Sequence, residues 1–591
     1  MRRRAGLIGT IAAALVAVMV VPAGAATSPT RYSLVHGCYA VRTAGSSADV
    51  AGGPFRMQAT ALGRYLLYSP ARTFLADGVQ GGGLLPDLGL PAVGGGGIGL
   101  ATAPSPAAEW AVTGSPGALS MQNIKTGRKV GVTFTSAGGC ATYPEADIDA
   151  TGKPFSGPSP QGAVRGIVDA HAHITAFEFL GGDFHCGRPW APYGAPFALP
   201  DCASIQGPQG SAAPVQNFLD YGAPEHPHDT VGWPTFKDWP GPDKLSYEGD
   251  YYTGVKRAWL GGLRIFVTDL VDNEALCTVM PMKHNPCNDM DSVRLQDKDL
   301  TELQNYIDAQ SGGPGKGFFR LVSNPFQARK VISQGKLAVI EGIEVSRIFG
   351  CGENNGVSQC SKADVDRGLD ELKARGITTF FPVHKFDNAF GGTKMDAGEL
   401  GTIINAGNHL ETGHFWDVKT CAGVPPGEHD QQQLSAPQPA GSGLATLFKG
   451  PLDSLLPGGT QVPTYPAAPH CNQRSLTGLG TYLIQQMAKR HDVLQLDHMD
   501  VKTADAALSV AEKLRYSGVV SAHSWDSPPE STRIYKLGGF VTPIAGSSPP
   551  AFVDEWRADK KLRAKRNPYR FGFGYGSDMN GLAEEAQPTS A

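Results

Sequence analysis

Two histidines separated by one residue are the first side chains in this sequence that could perform chemistry. His171 and His173 follow the apolar run 166–170, which is typical of a buried strand. Alternate residues of a strand point to the same side, so both imidazoles would face the same way at the strand end. Such a pair is either the beginning of a divalent metal site or two histidines that share a turn by chance.

Further ligand-type residues recur at the ends of other apolar runs. Glu341 ends the run 336–341, His384 follows 380–383, His498 follows 493–496, His523 follows 519–522, and Asp578 follows 571–576. The carboxyl ends of parallel strands converge on one mouth of a barrel. This serial placement therefore predicts one shared metal site.

The elements that must position these residues form an alternating pattern from residue 162 onward. Apolar strands alternate with helices such as 361–376, in which Ser361 and Asp364 form a capping-box pattern and Gly376 ends the helix. Continuous apolar strands predict a parallel α/β sheet that is buried on both faces. Roughly 400 residues of such units favour a (β/α)8 TIM-type barrel, with an open Rossmann- or flavodoxin-like sheet as the alternative.

The segment before the barrel has a different pattern. Short apolar runs such as 63–68 and 129–134 are separated by Gly, Ser and Pro, without a helical period. We predict a small all-β accessory domain at 27–158, followed by the hydrolase barrel at 159–591. Segments rich in Gly and Pro within the barrel, for example 400–473, are predicted to be long loops on the active-site face.

The N-terminus is typical of a secretory signal peptide. Arg2 to Arg4 precede an apolar stretch at 7–21, and Ala23-Gly24-Ala25 has the small residues of a cleavage site. The alternative is a membrane anchor, but a membrane span needs about 20 apolar residues. We therefore predict a signal peptide at 1–26, a secreted protein and no stable membrane anchor.

The cysteine count is consistent with an exported protein. The chain has ten cysteines and no CxxC pair, which favours disulfides over zinc-binding cysteines. Sequential pairing closes mostly short or medium loops, although connectivity is not fixed by sequence. The predicted disulfides are Cys38–Cys140, Cys186–Cys202, Cys277–Cys287, Cys351–Cys360 and Cys421–Cys471.

Composition and charge exclude some classes of partner. The 591 residues are 41% hydrophobic and 18% charged, which is typical of a globular protein with a large core. The formal net charge of −4 gives no basis for a nucleic-acid partner. We expect a small-molecule or peptide substrate, and the sequence leaves the oligomeric state open.

In this order, the motifs resemble those of the membrane (renal-type) dipeptidase family, within the amidohydrolase superfamily of metal-dependent barrels. The matching segments are Val168 to His173, Ile340-Glu341-Gly342, Val383-His384, Leu496-Asp497-His498, Ser521-Ala522-His523-Ser524 and Tyr575-Gly576-Ser577-Asp578. The resemblance covers about residues 162–580 and is confined to these short motifs.

The resemblance implies a metal-dependent hydrolase with two divalent ions. His171 and His173 would hold one ion, His498 and His523 the other, and Glu341 would bridge them. Asp578 would transfer the proton, and His384 would bind the substrate and its developing oxyanion. Zinc suits this set of ligands, although iron and manganese are alternatives.

Two questions about the substrate stay open in the sequence. Arg533 follows His523 closely and is either a clamp for a substrate carboxylate or a surface arginine. The family usually has His-x-Asp where this chain has His171-x-His173. The reaction is therefore amide cleavage of the dipeptidase type, or hydrolysis of a lactone, phosphoester or cyclic amide. A third alternative is a non-catalytic cell-wall or carbohydrate-binding protein with a degenerate barrel.

Overall fold

The computed structural model describes most of the chain after the N-terminal segment. The described residues are 29–79, 97–158, 162–239, 251–280, 282–396, 398–421, 463, 465–467, 469–523, 526–544, 549–563 and 567–581. The predicted signal peptide at 1–26 lies outside them. The predicted boundary between residues 158 and 159 stays a prediction.

The first part of the chain is an antiparallel β structure. Its strands are β1 (Cys38–Thr43), β2 (Phe55–Ala61), β3 (Arg64–Tyr68), β4 (Phe74–Val79), β5 (Gly97–Ala101), β6 (Glu109–Ser115), β7 (Ala118–Asn123) and β8 (Lys129–Ser136). They follow the order β2-β1-β8-β7-β6-β3-β4-β5, and a further pairing of β2 with β3 closes a small barrel. Its core contains Phe55, Met57 and Trp110, which supports the prediction of a β-rich region.

The second part of the chain contains the remaining strands. They are β9 (Ile167–Asp169), β10 (Leu263–Asp272), β11 (Phe319–Leu321), β12 (Leu337–Val345), β13 (Glu353–Asn354), β14 (Val357–Ser358), β15 (Thr379–Phe380), β16 (Val418–Thr420), β17 (His470–Asn472), β18 (Val493–Gln495), β19 (Val519–Ser521) and β20 (Phe540–Val541). A parallel sheet has the order β20-β19-β18-β15-β12-β10-β9, with β11 also paired to β12. The other four strands form two separate antiparallel pairs.

Helices connect the parallel strands. They are α1 (Ala195–Ala198), α2 (Ala203–Gln206), α3 (Pro214–Tyr221), α4 (Tyr252–Gly261), α5 (Glu274–Val279), α6 (Asp289–Gln310), α7 (Pro325–Ser333), α8 (Lys362–Arg375), α9 (Gly398–Thr412), α10 (Gly478–Arg490), α11 (Val501–Leu514), α12 (Pro528–Leu537) and α13 (Pro549–Leu562). The predicted helix at 361–376 is confirmed as α8. Ser361 and Asp364 form its capping box, and Gly376 ends it in the left-handed conformation.

A segment near the C-terminus lies between the two edges of the parallel sheet. Tyr575 pairs in parallel with Asp169 beside β9, and Gly576 pairs in parallel with Ile544 beyond β20. The carboxylate of Asp169 also accepts hydrogen bonds from the Ser577 amide at 3.1 Å and the Ser577 hydroxyl at 2.8 Å. These contacts fix the segment that carries Asp578.

The large core lies between the sheet and its helices. Val339, Ile343 and Val345 of β12 belong to it, together with Leu369 and Leu372 of α8. Apolar side chains on this face of the strand are thus buried against the helices, whereas the opposite face points into the ring of strands.

All five predicted disulfides are confirmed. The sulfur atoms of each sequential pair are bonded, and the bonds close loops of 9 to 102 residues. In the described part of the chain, none of the helices has the length and apolar character that a membrane span requires.

Candidate metal centre

The candidate centre is built at the carboxyl ends of the parallel strands. His171 and His173 follow β9, Glu344 lies near the end of β12, His384 follows β15, His498 follows β18, His523 follows β19, and Asp578 follows the pairing segment at Tyr575. The five imidazoles and Glu344 are buried, and the side chain of Asp578 is 18% exposed. The structure therefore brings together residues that are up to 407 positions apart in the chain (171 to 578).

Glu344 lies between two sets of imidazoles. Its Oε2 atom is 3.4 Å from Nε2 of His171 and 3.2 Å from Nε2 of His173. Its Oε1 atom is 2.8 Å from Nε2 of His498 and 3.5 Å from Nε2 of His384. Each oxygen of one carboxylate thus faces a different group of nitrogen ligands, which is the arrangement of a bridging ligand.

Two remaining side chains complete the two groups. Asp578 Oδ1 is 3.1 Å from Nε2 of His173 and 3.4 Å from Nε2 of His171. On the other side, His523 Nε2 is 2.9 Å from His498 Nε2 and 3.9 Å from Glu344 Oε1. Imidazole nitrogens and carboxylate oxygens are the ligands of zinc and of related divalent ions, so this set of donors fits a pair of cations.

The orientation of the first two imidazoles is set from behind by β10. His171 Nδ1 donates to Asp269 Oδ2 at 2.8 Å, and His173 Nδ1 donates to the Asp269 carbonyl at 2.7 Å. With Nδ1 used in this way, Nε2 of each ring faces Glu344. A carboxylate or carbonyl behind the imidazole is the usual support of a metal-binding histidine.

A missing side chain on β12 makes room for this support. Gly342 is the register partner of Asp269, and a Cβ atom at Gly342 would lie 1.8 Å from Asp269 Oδ1. Any larger residue would displace the carboxylate that holds His171.

The ring of Phe381 and the stacking of two imidazoles restrict the positions of the histidine rings. The Phe381 ring lies against those of His171, His498 and His523, with centroid distances of 5.4, 5.9 and 5.8 Å. His171 and His523 stack on each other at 4.1 Å. The imidazoles therefore have few alternative rotamers.

Burial keeps two of the imidazoles neutral. It lowers the pKa of His384 to about 3 and that of His523 to about 4. Both rings are therefore uncharged near neutral pH, which is the form that can bind a metal ion.

Next to Asp578, by contrast, the pKa of an imidazole is raised. Burial lowers the pKa of His173, but Asp578 and Glu344 outweigh burial and raise it to about 9. Burial opposes ionisation of Asp578, but hydrogen bonds with His171 and His173 outweigh it and lower its pKa. The two carboxylates thus attract positive charge, and a bound cation would replace the protons that the imidazoles otherwise carry.

Known proteins show only distant similarity to this chain. No family model matches it, and no curated protein matches its sequence. Its structure is similar to the metallopeptidase dipeptidase AC, with 13% identity over 55% of this chain and 75% of that chain and a TM-score of 0.31. It is also similar to an amidohydrolase from Pseudomonas aeruginosa, with 12% identity over 54% of this chain and 67% of that chain and a TM-score of 0.30.

A third similar structure is a metallopeptidase from Rhodobacter sphaeroides that is liganded with a phosphinate mimic of the dipeptide L-Ala-D-Ala. The identity is 13% over 51% of this chain and 63% of that chain, and the TM-score is 0.29. At these values, function has to be inferred from the side chains of the site.

The carboxylate between the imidazoles is Glu344 and not Glu341, the bridging residue that the resemblance implies. The two residues are three positions apart, so their side chains point to opposite faces of β12. Glu341 is buried on the helix side, where the charges that act on it are those of Asp297 and Arg375. The strand also continues to Val345, beyond the end that the apolar run suggested.

Arg533 is not part of the centre. It lies on α12 and forms ion pairs with Asp505 at 2.6 Å and Glu512 at 2.8 Å, both on α11. These contacts join two outer helices. The surface interpretation of this arginine therefore fits the structure, and its proposed role as a substrate clamp is not supported.

A cavity opens beside the centre and contains charged residues that sequence reasoning missed. It encloses about 210 Å³ and is lined by His384, Glu344 and Asp578, together with Lys385 and Asp396. Lys385 Nζ donates to Asp396 Oδ1 at 2.9 Å. Burial opposes the charge of Lys385, but Asp396 outweighs it and raises the pKa of the ammonium. The sequence signal that could have identified Lys385 is its position directly after His384.

Proposed function

We propose that this chain is a hydrolase that uses two divalent metal ions to cleave the amide bond of a small, dipeptide-like substrate. The observation that carries this proposal is the position of Glu344, whose two oxygens face two separate sets of buried imidazoles. Buried charges are costly unless they are paired or bind a metal ion, so a buried carboxylate surrounded by imidazoles supports a metal centre. The scaffold that fits this arrangement is a (β/α)8 barrel closed by residues 575–579.

In this proposal, the ligands divide between the two ions. His171, His173 and Glu344 would hold the first ion, and Glu344, His498 and His523 would hold the second. Nε2 of His384 also lies 3.5 Å from Glu344 Oε1, the oxygen that faces His498. We assign His384 to the substrate because this is the role that the resemblance of Val383-His384 to the family motif implies. Zinc is the metal that best suits a site rich in imidazoles.

The chemistry follows from the groups that line the cavity. The two ions would supply the Lewis acidity that makes water a nucleophile near neutral pH. Asp578, held as a carboxylate, accepts the proton from the attacking water and returns it to the leaving amine. His384 hydrogen-bonds the carbonyl oxygen of the substrate as negative charge develops on it.

We also propose that the protein is exported. The five disulfides support this location, because such bonds persist in oxidising compartments. The residues 1–26 would be removed as the signal peptide.

Elemental analysis of the purified protein tests the metal centre. We expect about two ions per chain, about one ion in the His498→Ala variant, and loss of nearly all activity in that variant. His384→Asn is the matched control, because it removes an imidazole that we assign to substrate. It should keep both ions and lose activity. A wild-type protein with less than one ion, or a His498→Ala variant with full metal and rate, would contradict the proposal.

A substrate panel tests the reaction. Dipeptides, lactones and phosphotriesters are compared with the metal-loaded protein and with protein treated with a chelator. We expect metal-dependent cleavage of dipeptides. Cleavage of an ester with no cleavage of any dipeptide would replace amide hydrolysis by one of the other hydrolytic reactions.

A further inference from the structure

The cavity beside the metal centre has one charged side and one apolar side. Phe179, Val271, Leu276, Leu400 and Ile404 form the apolar side, which we call the aliphatic wall. Phe179, Val271, Leu276 and Ile404 are also buried in one hydrophobic cluster. The volume of about 210 Å³ is below the roughly 300–1,000 Å³ of typical ligand pockets, so the cavity fits a small substrate with one aliphatic side chain.

Lys385 supplies the cationic group of this cavity. Among the described residues that line it, Lys385 is the single lysine or arginine. Its side chain is 15% exposed, and its Nζ atom is 2.9 Å from Asp396 Oδ1. An ammonium group has three N–H donors, so it can hold Asp396 and a ligand oxygen at the same time.

The loop that carries this ion pair is held near Asp396 by contacts with the segment after β18 and with Asp387. The Lys394 amide donates to the His498 carbonyl at 2.7 Å, and Thr393 pairs with Met499 beyond β18. The Thr393 amide also donates to Asp387 Oδ1 at 2.9 Å. Lys385 is therefore positioned in advance relative to the metal centre, which reduces the entropy cost of binding a ligand.

The charges of the cavity favour an anionic substrate. Two divalent cations would outweigh the negative charges of Glu344 and Asp578, and Asp396 balances Lys385. Arg533, the other cation considered for this purpose, is paired on the outer helices. An anionic group next to the scissile bond can thus be bound by Lys385 in a positive, partly buried environment.

We propose that Lys385, held by Asp396, determines specificity by binding a carboxylate of the substrate next to the scissile amide, while an aliphatic side chain of the substrate packs on the aliphatic wall. This inference rests on the proposed amide hydrolysis. It assigns the recognition of the carboxylate to the loop after His384 and not to an arginine after His523.

Binding of a matched pair of probes tests this assignment. The probes are a phosphinate mimic of a leucine-containing dipeptide with a free carboxylate and the same compound with a carboxamide. Dissociation constants are measured by calorimetry on the metal-loaded protein. We expect the wild type to bind the carboxylate form about 30-fold more tightly, as for a charge-assisted hydrogen bond in a partly buried site.

Two variants of the ion pair should remove this preference. Lys385→Met alone leaves Asp396 without its partner, so the double variant Lys385→Met/Asp396→Leu removes both charges and avoids an uncompensated buried carboxylate. In either variant, the ratio of the two dissociation constants should fall to within about threefold, with two metal ions retained. Arg533→Gln, which removes a cation outside the cavity, should keep the wild-type ratio.

The outcomes separate this inference from the proposed function. If the wild type cleaves dipeptides but binds both probes equally, or if the double variant keeps the preference, the role of Lys385 is wrong and amide hydrolysis stands. If the wild type cleaves no amide and binds neither probe, both proposals fail. Parallel kcat/KM values for a dipeptide and its amide should show the loss in the variants mainly as a higher KM for the dipeptide.

Discussion

The two faces of β12 place chemically identical side chains in opposite environments. Glu344 points into the ring of strands, where the imidazoles outweigh the effect of burial and lower its pKa well below the usual value. Glu341 points to the helices, where burial raises its pKa to about 8. The same carboxylate is thus a charged ligand on one face and a largely protonated buried group on the other. Position on the strand, and not residue type, decides the role.

The neighbours of each glutamate explain which face is which. Val339, Ile343 and Val345 share the face of Glu341 and pack against the helices. Gly342 shares the face of Glu344, where space is needed for other functional side chains. At the level of the site, large aliphatic residues therefore mark the outer face of this strand, and a small residue marks the inner face.

The largest expected effect comes from removing the charge of the inner glutamate. Glu344→Gln should lose both metal ions and lower kcat/KM by about 1000-fold or more, because the amide cannot bridge two cations. Elemental analysis and steady-state kinetics measure the two effects. Glu341→Gln is the matched control on the outer face and should keep both ions and most of the activity. Equal losses in the two variants would contradict the contrast between the faces.

The next effect concerns Asp269 of β10, which accepts a hydrogen bond from His171. Asp269→Asn should weaken binding of the first ion by about 10- to 100-fold, because His171 Nδ1 loses its charged acceptor. Titration with a competing chelator should show one weakened ion and one that is nearly unchanged. If both ions are released together, the two groups around Glu344 do not bind independently.

A similar but indirect effect is expected at the small residue of the inner face. Gly342→Ala places a methyl group against Asp269 Oδ1, so it should lower affinity for the first ion by roughly tenfold through the shift of His171. Ala338→Gly is the control, because it exchanges the same two residue types on the same face of β12 at a position away from Asp269. Normal metal affinity in Gly342→Ala would show that Asp269 can move without cost.

Periodicity and spacing predicted much of this structure from sequence. The capping pattern at Ser361 predicted the start of α8, and the sequential order of the cysteines predicted all five disulfides. Histidines at the strand ends, such as His171 and His498, could be found because each lies within two residues of the end of an apolar run. These features depend on neighbouring residues and are therefore visible in a local pattern.

The missed features depend on contacts between distant segments. The assignment of Glu341 followed the apparent end of an apolar run, whereas the real strand extends to Val345. Arg533 was selected for its proximity in sequence to His523, but its helix turns it towards Glu512. Lys385 and Asp396 are eleven positions apart and meet only because of the way the loop between them folds. Only the three-dimensional structure shows which face or which cavity such residues occupy.

The last expected effect is a pH-dependent change of stability at the outer glutamate. The pKa of Glu341 is about 8 in the folded chain, against an ordinary value of 4.5 for the unfolded chain. Between these pH values the folded state holds a proton that the unfolded state has released, so wild-type stability falls as pH rises. Glu341→Gln lacks this loss and should gain up to about 5 kcal/mol relative to wild type above pH 8, with little difference near pH 4.5.

Thermal unfolding of both proteins at several pH values between 4.5 and 8.5 measures this difference. Glu302→Gln makes the same substitution at an exposed position of α6 and is the control for the loss of a carboxylate in itself. A difference in Tm that stays constant with pH, or that shrinks as pH rises, would mean that Glu341 is ionised in the folded protein. The outer face of β12 would then contain a compensated charge, and the contrast with Glu344 would be one of partners instead of protonation.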